Sequence, residues 1–279
     1  MNVPQSNDVT NSAKPVSAGQ DVVRLFWTGG WDSTFRLLQL LLFDGSVVQP
    51  YYLIDAKRRS TEAEMATMDA IRARLYERYV ATEDLLRPTQ YAQVAEIDPD
   101  AEIEEAFRAV MAKQPIGSQY EWLARYCKQH GIDDMELCIH RDDQAHGVLA
   151  MLAPSVEPQQ VGDRTVLRIA AEGTPESEYA LFGYFQFPVF RINKLEMAEI
   201  AREHDWMGLM NMTWFCHRPK RGKPCGRCRP CLYAVAEGLG WRIPAGRRAM
   251  SRLHRTLVQP VKRTVKALKR RLRSRGPDR

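Results

Sequence analysis

Several things are missing from this chain, and each absence excludes a class. No run of about 18 apolar residues occurs, so no segment reads as a membrane-crossing helix. The opening Met1-Asn2-Val3-Pro4 and the residues up to Gln20 lack the charged and apolar blocks of a secretory signal. Residues 1–20 read as a disordered leader. No internal repeat or low-complexity run appears, though the last 33 residues are compositionally biased. No Gly-Lys-Ser/Thr occurs, so the phosphate loop of ordinary NTPases is excluded. Cysteine is scarce, at six residues. Without an export signal a cytoplasmic location is expected, where clustered thiols serve as metal ligands or catalytic groups more than as disulfides. Acid is nearly absent from residues 247–279, which hold thirteen Lys/Arg against one Asp. The remainder, residues 1–246, has 27 basic and 33 acidic residues, so the overall charge of +6 joins an acidic body to a basic tail.

What is present suits a globular domain. Hydrophobic residues make up 44% and charged residues 27%, and 279 residues suffice for one large domain or two small ones. Val22–Trp27 and Val47–Ile54 read as buried strands, with Ser33–Phe43 a deeply packed helix between them. Thr61 with Glu64, and Ser118 with Glu121, have the spacing of capping boxes. Behind the first stand Met65, Met68, Ile71, Leu75 and Tyr79 at helical spacing. Strands are expected at Val94–Ile97, Met135–Ile139, Val166–Ala170 and Tyr184–Phe190. Helices are expected at Ala101–Lys113, after Ser118 until Gly131, and from Asn193 to His204. Alternating strands and helices over residues 22–140 imply an α/β fold: a parallel twisted sheet with helices on both faces.

Thr28-Gly29-Gly30-Trp31-Asp32-Ser33 joins the first strand to the first helix. Glycines at a strand exit let backbone N–H groups approach an anion, and the helix N-terminus adds positive potential. A ligand-free Gly-Gly turn is the bland alternative. The loop resembles the Ser-Gly-Gly-x-Asp-Ser signature of the PP-loop ATP pyrophosphatase family, with Thr28 replacing the first serine and Gly29, Gly30, Asp32 and Ser33 matching. The resemblance implies an adenine nucleotide alpha hydrolase-like fold and a loop that holds the pyrophosphate portion of ATP. It makes Phe26, Trp27, Thr28, Gly29, Gly30, Trp31, Asp32, Ser33 and Thr34 candidate nucleotide contacts, with Asp32 a candidate for orienting Mg. After the second strand, Asp55 and Lys57 lie where an α/β sheet meets a nucleotide. The run Lys57-Arg58-Arg59 neutralises phosphates or is a solvated turn.

Cys216-x8-Cys225-x2-Cys228-x2-Cys231 supplies four thiolates at short spacing. Four soft ligands favour a tetrahedral zinc with no open position, hence a structural site. An iron–sulfur cluster and unliganded thiols are the alternatives. Arg218, Lys220, Arg221, Lys223, Arg227 and Arg229 would offset the thiolate charge. The segment Phe215-Cys216 … Pro224-Cys225-Gly226-Arg227-Cys228-Arg229-Pro230-Cys231 resembles the zinc site of the 7-cyano-7-deazaguanine synthases, PP-loop enzymes of queuosine biosynthesis. The likeness spans residues 22–243 but is specific only at its two ends. It implies an ATP-dependent C–N-forming ligase that adenylates a carboxylate, 7-carboxy-7-deazaguanine or a related acid, for attack by ammonia. It further implies ATP, Mg and Zn as cofactors, a homodimer, and Asp32, Ser33 and Lys194 as catalytic candidates.

The middle departs from that pattern. A Val-Pro-x-Arg-Asn-like segment is expected where Pro115-Ile116-Gly117-Ser118-Gln119 stands, and a Tyr-Pro-Asp-Cys-Arg-like segment is absent. His140-Arg141-Asp142-Asp143-Gln144 is either a polar loop or a relative of a His/Asp-Asp motif of tRNA-modifying PP-loop enzymes. Residues 247–279 place Leu253, Leu257, Val261, Val265, Leu268 and Leu272 at helical spacing among Lys and Arg, interrupted near Pro260. Such a basic amphipathic tail suits an anionic membrane surface, RNA, or weak docking on the acidic body. Two further functions therefore stand beside the ligase: a tRNA-modifying enzyme, and a zinc-stabilised nucleotide-binding protein without turnover.

Overall fold

The computed structural model describes residues 22–141, 152–161 and 164–253. The expected leader, residues 142–144 and the tail beyond residue 253 lie outside the described residues. The centre is a five-stranded parallel sheet in the order β3-β2-β1-β4-β7. It comprises β1 (Val23–Phe26), β2 (Val48–Ile54), β3 (Gln90–Gln93), β4 (Met135–Glu136) and β7 (Phe185–Gln186). The chain winds outward from β1 to β3, then returns across β1 to lay down β4 and β7. The direction reverses between β1 and β4, the place where open α/β sheets open a crevice at their carboxyl ends. The hairpin of β5 (Val156–Val161) and β6 (Arg164–Ile169) forms a separate antiparallel pair. It is tied to the sheet margin by Phe187 N–H to the Leu167 carbonyl, 2.8 Å.

Alternation along β1 divides the apolar mass in two. Val23, Leu25 and Trp27 enter one core and Phe26 the other. The first core contains α1 (Trp31–Leu38), which continues as a π-helical turn over Gln39–Phe43, and the buried side of α2 (Thr61–Arg78). It also holds three of the four clustered cysteines. The second core packs α4 (Ala101–Lys113) and α5 (Gln119–Gln129) with α6 (Glu176–Phe182), around Tyr120, Leu181, Phe182 and Phe185. A short helix, α3 (Thr82–Leu85), precedes β3.

Several expectations are corrected. Neither Thr61/Glu64 nor Ser118/Glu121 forms a capping box. Ser60 is the N-cap of α2 without a side-chain cap, and Glu64 is taken by Tyr52 Oη at 2.8 Å and Arg58 at 3.0 Å. Glu121 pairs instead with Arg125 at 2.9 Å. The third strand is Gln90–Gln93, and Val94–Glu96 is a 3₁₀ turn. The hairpin strand β5 and helix α6 carried no expectation. By contrast, α7 (Lys194–Glu203) has its capping box: Asn193 Oδ1 accepts from Leu195 and Glu196, and Glu196 accepts from the Asn193 amide. Among the described residues no helix is long and apolar enough to cross a membrane.

Candidate functional site

The glycine loop leaves β1 at the switch between β1 and β4 and enters α1. Gly30 is an extended N-cap with no side chain to satisfy the first turn, so the amides of Trp31, Asp32 and Ser33 have no helical acceptor. The first helical bond is Thr34 N–H to the Gly30 carbonyl, 3.0 Å. Thr28 Oγ1 accepts from the Gly30 amide at 3.3 Å, and Ser33 Oγ from the Thr28 amide at 3.4 Å, which curl the loop around those amides. Gly29 sits at φ +65°, and a Cβ there would meet Met68 and Thr67 at 3.2 Å. The conformation therefore favours glycine, and a side chain there would also press its neighbours aside by a few tenths of an ångström. Phe26 and Trp27 bury their side chains in opposite cores, and the Trp27 amide bonds the Tyr51 carbonyl. Thr34 is also buried and accepts from Trp27 Nε1 at 3.1 Å. These three shape the loop from beneath rather than facing its mouth.

Asp32 projects from the first turn of α1 toward His140 and Lys194. Its Oδ1 lies 3.9 Å from His140 Nε2 and its Oδ2 3.8 Å from Lys194 Nζ. Lys194 also bonds Glu237 at 2.9 Å. The structure thus brings the sequence candidates Asp32, Ser33 and Lys194 to one end of the sheet and adds His140 and Glu237. Arg242, unsuspected from sequence, completes the group. Its guanidinium is stacked between Trp31 and Phe215, at 4.9 and 4.8 Å from the ring centroids, and donates to Thr213 Oγ1 at 2.6 Å. Burial pushes its pKa down to about 10 against the attraction of Asp32, so it remains charged at neutral pH. A lone arginine in Gly240-Trp241-Arg242 carries no motif that could have announced this.

The cysteines converge as their spacing predicts. All four Sγ atoms lie within 4.8 Å of one another, with separations of 3.4 Å (Cys228–Cys231), 3.8 Å (Cys216–Cys228) and 3.9 Å (Cys225–Cys231). Four thiolates at about 2.3 Å from one tetrahedral ion stand about 3.8 Å apart, so the set fits a single metal ion. In a four-iron cluster each cysteine binds a different iron and the sulfurs must spread further. Amides of Cys225, Arg227 and Cys228 donate to Cys216 Sγ and Cys225 Sγ at 3.1–3.4 Å. Cys228 begins α9 (Arg229–Ala236), so its sulfur also sits at a helix N-terminus. The short helix α8 (Met207–Met210) leads into this region.

Loop and knuckle are joined. Trp214 N–H donates to the Gly29 carbonyl at 2.8 Å, two residues before Cys216. Arg242 bridges Trp31 of the loop and Phe215 of the knuckle. The basic tail starts here too: in α10 (Ala245–Leu253), Arg247 donates to the carbonyls of Lys220, Lys223 and Pro224 at 2.7–3.0 Å. The boundary expected at residue 247 therefore falls inside a helix that clamps the knuckle. Asp55 and Lys57 stand elsewhere, at the turn into α2. Asp55 Oδ1 accepts the Lys57 amide at 2.9 Å, so that carboxylate builds the turn. Lys57 lines a cleft of about 360 Å³ with Arg58, Arg59, Ser60, His217 and Arg218.

The fold and site together define an α/β protein with a glycine loop at its switch point and, joined to it, a cluster of four cysteines able to hold a metal ion. No family model matches the sequence, and no curated protein matches it. Among solved structures the chain is similar to the U34-tRNA thiolase NcsA from Methanococcus maripaludis with its [4Fe-4S] cluster. The two share 11% identity with a TM-score of 0.39, over 85% of this chain and 72% of that one.

Proposed function

We propose that this protein is an ATP-dependent, AMP- and pyrophosphate-forming ligase of the PP-loop type. The observation that carries the reading is the curled loop whose amides, Trp31 to Ser33, have no helical acceptor, at the sheet's switch point beside Asp32, Lys194 and Arg242. Those amides suit the β- and γ-phosphates, and the α1 N-terminus stabilises the charge that develops as pyrophosphate leaves. Asp32 is the candidate carboxylate that would hold Mg near them, a metal that spreads phosphate charge when bound. Lys194 and Arg242 offset the carboxylates of Asp32 and Glu237 beside the loop. Cys216, Cys225, Cys228 and Cys231 would hold Zn as a structural ion, since four thiolates leave no open position. The acceptor carboxylate attacks the α-phosphate, pyrophosphate departs, and ammonia displaces AMP from the acyl-adenylate. 7-Carboxy-7-deazaguanine or a related acid is the acceptor of this reading, and RNA is the second candidate, favoured by the exposed cations on the knuckle.

The test is pyrophosphate release from ATP by zinc-loaded protein with ammonia, with and without 7-carboxy-7-deazaguanine. Release that depends on the acid supports the full reading. ATP binding without release under any acceptor reduces the protein to a nucleotide-binding one. Loss of both ATP binding and zinc would sink the proposal.

A further inference from the structure

The cleft between the β2–α2 turn and the cysteine knuckle is lined by none of the glycine-loop residues. It lies at the N-terminus of α2, an 18-residue helix, so backbone N–H groups and the helix dipole face it. Ser60, the N-cap residue, lines it. Its side chain is fully buried, caps no amide, and its Oγ has no hydrogen-bond partner among the described residues. A buried hydroxyl without a partner costs free energy, and its presence in the cleft wall points to a ligand that supplies one. Lys57, Arg58 and Arg59 line one side, and His217 and Arg218 the other. Arg58 is partly neutralised by Glu64 at 3.0 Å. Lys57, Arg59 and Arg218 have no ion pair among the described residues, and all three are exposed to solvent. A concave site with a helix N-terminus, an unsatisfied hydroxyl and forked guanidiniums selects an oxyanion of high charge density. At about 360 Å³ it is at the small end of ligand sites, enough for a phosphate and the group that bears it.

We infer that this cleft is a second phosphate site, additional to the one assigned to ATP, and that it seats a phosphate carried by the acceptor substrate. The inference rests on the ligase reading only in giving ATP to the glycine loop. It narrows that reading, because 7-carboxy-7-deazaguanine carries no phosphate. The phosphate comes either from a small phosphomonoester or from an RNA backbone, and the two differ in how binding responds to salt.

The experiment is calorimetry on the full-length zinc-loaded chain, first saturated with α,β-methylene-ATP. Ribose 5-phosphate and a 12-nucleotide RNA are titrated in parallel, with inorganic phosphate as the minimal probe. The expected result is binding with the loop already filled. Arg59→Ala with Arg218→Ala should weaken it at least tenfold, Ser60→Ala several-fold, and neither should change affinity for the ATP analogue. Tighter binding of ribose 5-phosphate assigns a small phosphorylated acceptor. Tighter binding of RNA, falling steeply with salt, assigns a nucleic-acid acceptor. Competition between the probes and the ATP analogue would overturn the inference by giving the cleft to ATP itself. Probe binding indifferent to these substitutions, or no binding, would overturn it as well. A wild-type chain that binds phosphate but not the ATP analogue would instead defeat the ligase reading and leave the cleft standing.

Discussion

The two cores on either face of the sheet are of similar make but do different work. The core beneath α4, α5 and α6 is closed and aromatic. Phe182 is fully buried against Tyr120 at 5.4 Å, and the buried carboxylate Glu178 is matched by Lys113 at 2.8 Å. The core beneath α1 and α2 is where apolar packing gives way to chemistry: Trp31, Cys216, Cys225 and Cys231 belong to it, and Asp32 and Arg242 stand at its upper margin. One face stores stability and the other positions charges, so a substitution should damage one property and spare the other.

The strongest way to break that contrast is to strip the metal. Metal binding to such a site contributes on the order of 10 kcal/mol to local folding. Because Trp214 and Phe215 tie the knuckle to Gly29 and Trp31, chelation should lower the melting temperature and weaken ATP-analogue binding at least tenfold, both read by calorimetry. By reciprocity the ATP analogue should tighten metal binding by the same factor, so that more chelator is needed at equilibrium to strip the metal. Unchanged ATP affinity after chelation would show the two sites to be independent. On the other face, Phe182→Ala should cost about 3–5 kcal/mol in urea unfolding while leaving ATP-analogue affinity as it was.

Gly29→Ala reverses that pattern. Strain at φ +65° and the contacts at 3.2 Å should cost about 1–3 kcal/mol of stability, and nucleotide affinity should fall out of proportion. The smallest effect concerns Glu178. Burial tends to raise its pKa, but hydrogen bonds from Lys113 and Ser177 outweigh this and hold it below the usual glutamate value. A depressed carboxylate stabilises the fold above its ordinary pKa, and that contribution fades as pH falls through the lower folded value. Lys113→Ala should therefore flatten the acid limb of the stability profile without altering nucleotide binding at neutral pH.

Both ends of the site were legible in the sequence because they rest on local spacing. Four cysteines within sixteen positions, and two glycines between a strand and a helix, need few distant residues to be understood. The Asn193 cap was legible for the same reason. What escaped depends on tertiary competition. Glu64 has the spacing of a capping box, yet Tyr52 and Arg58 claim its carboxylate. Strand β3, Gln-Tyr-Ala-Gln, is a half-exposed edge without an apolar run, while the apolar Val94 beyond it turns into a 3₁₀ segment. Arg242 could be found only by seeing which two aromatic rings the fold brings to it.

The hydrogen bond from Trp214 to Gly29 spans most of the chain, and it has a consequence for synthesis. The glycine loop leaves the ribosome early, but its partner emerges about 185 residues later, a delay of roughly 10–40 s at ribosomal rates of about 5–20 residues per second. During that interval strand β1 and helix α1 can form while the loop lacks its anchor. On the proposed reading, a nascent chain gains a fully anchored loop for ATP only once the knuckle has emerged.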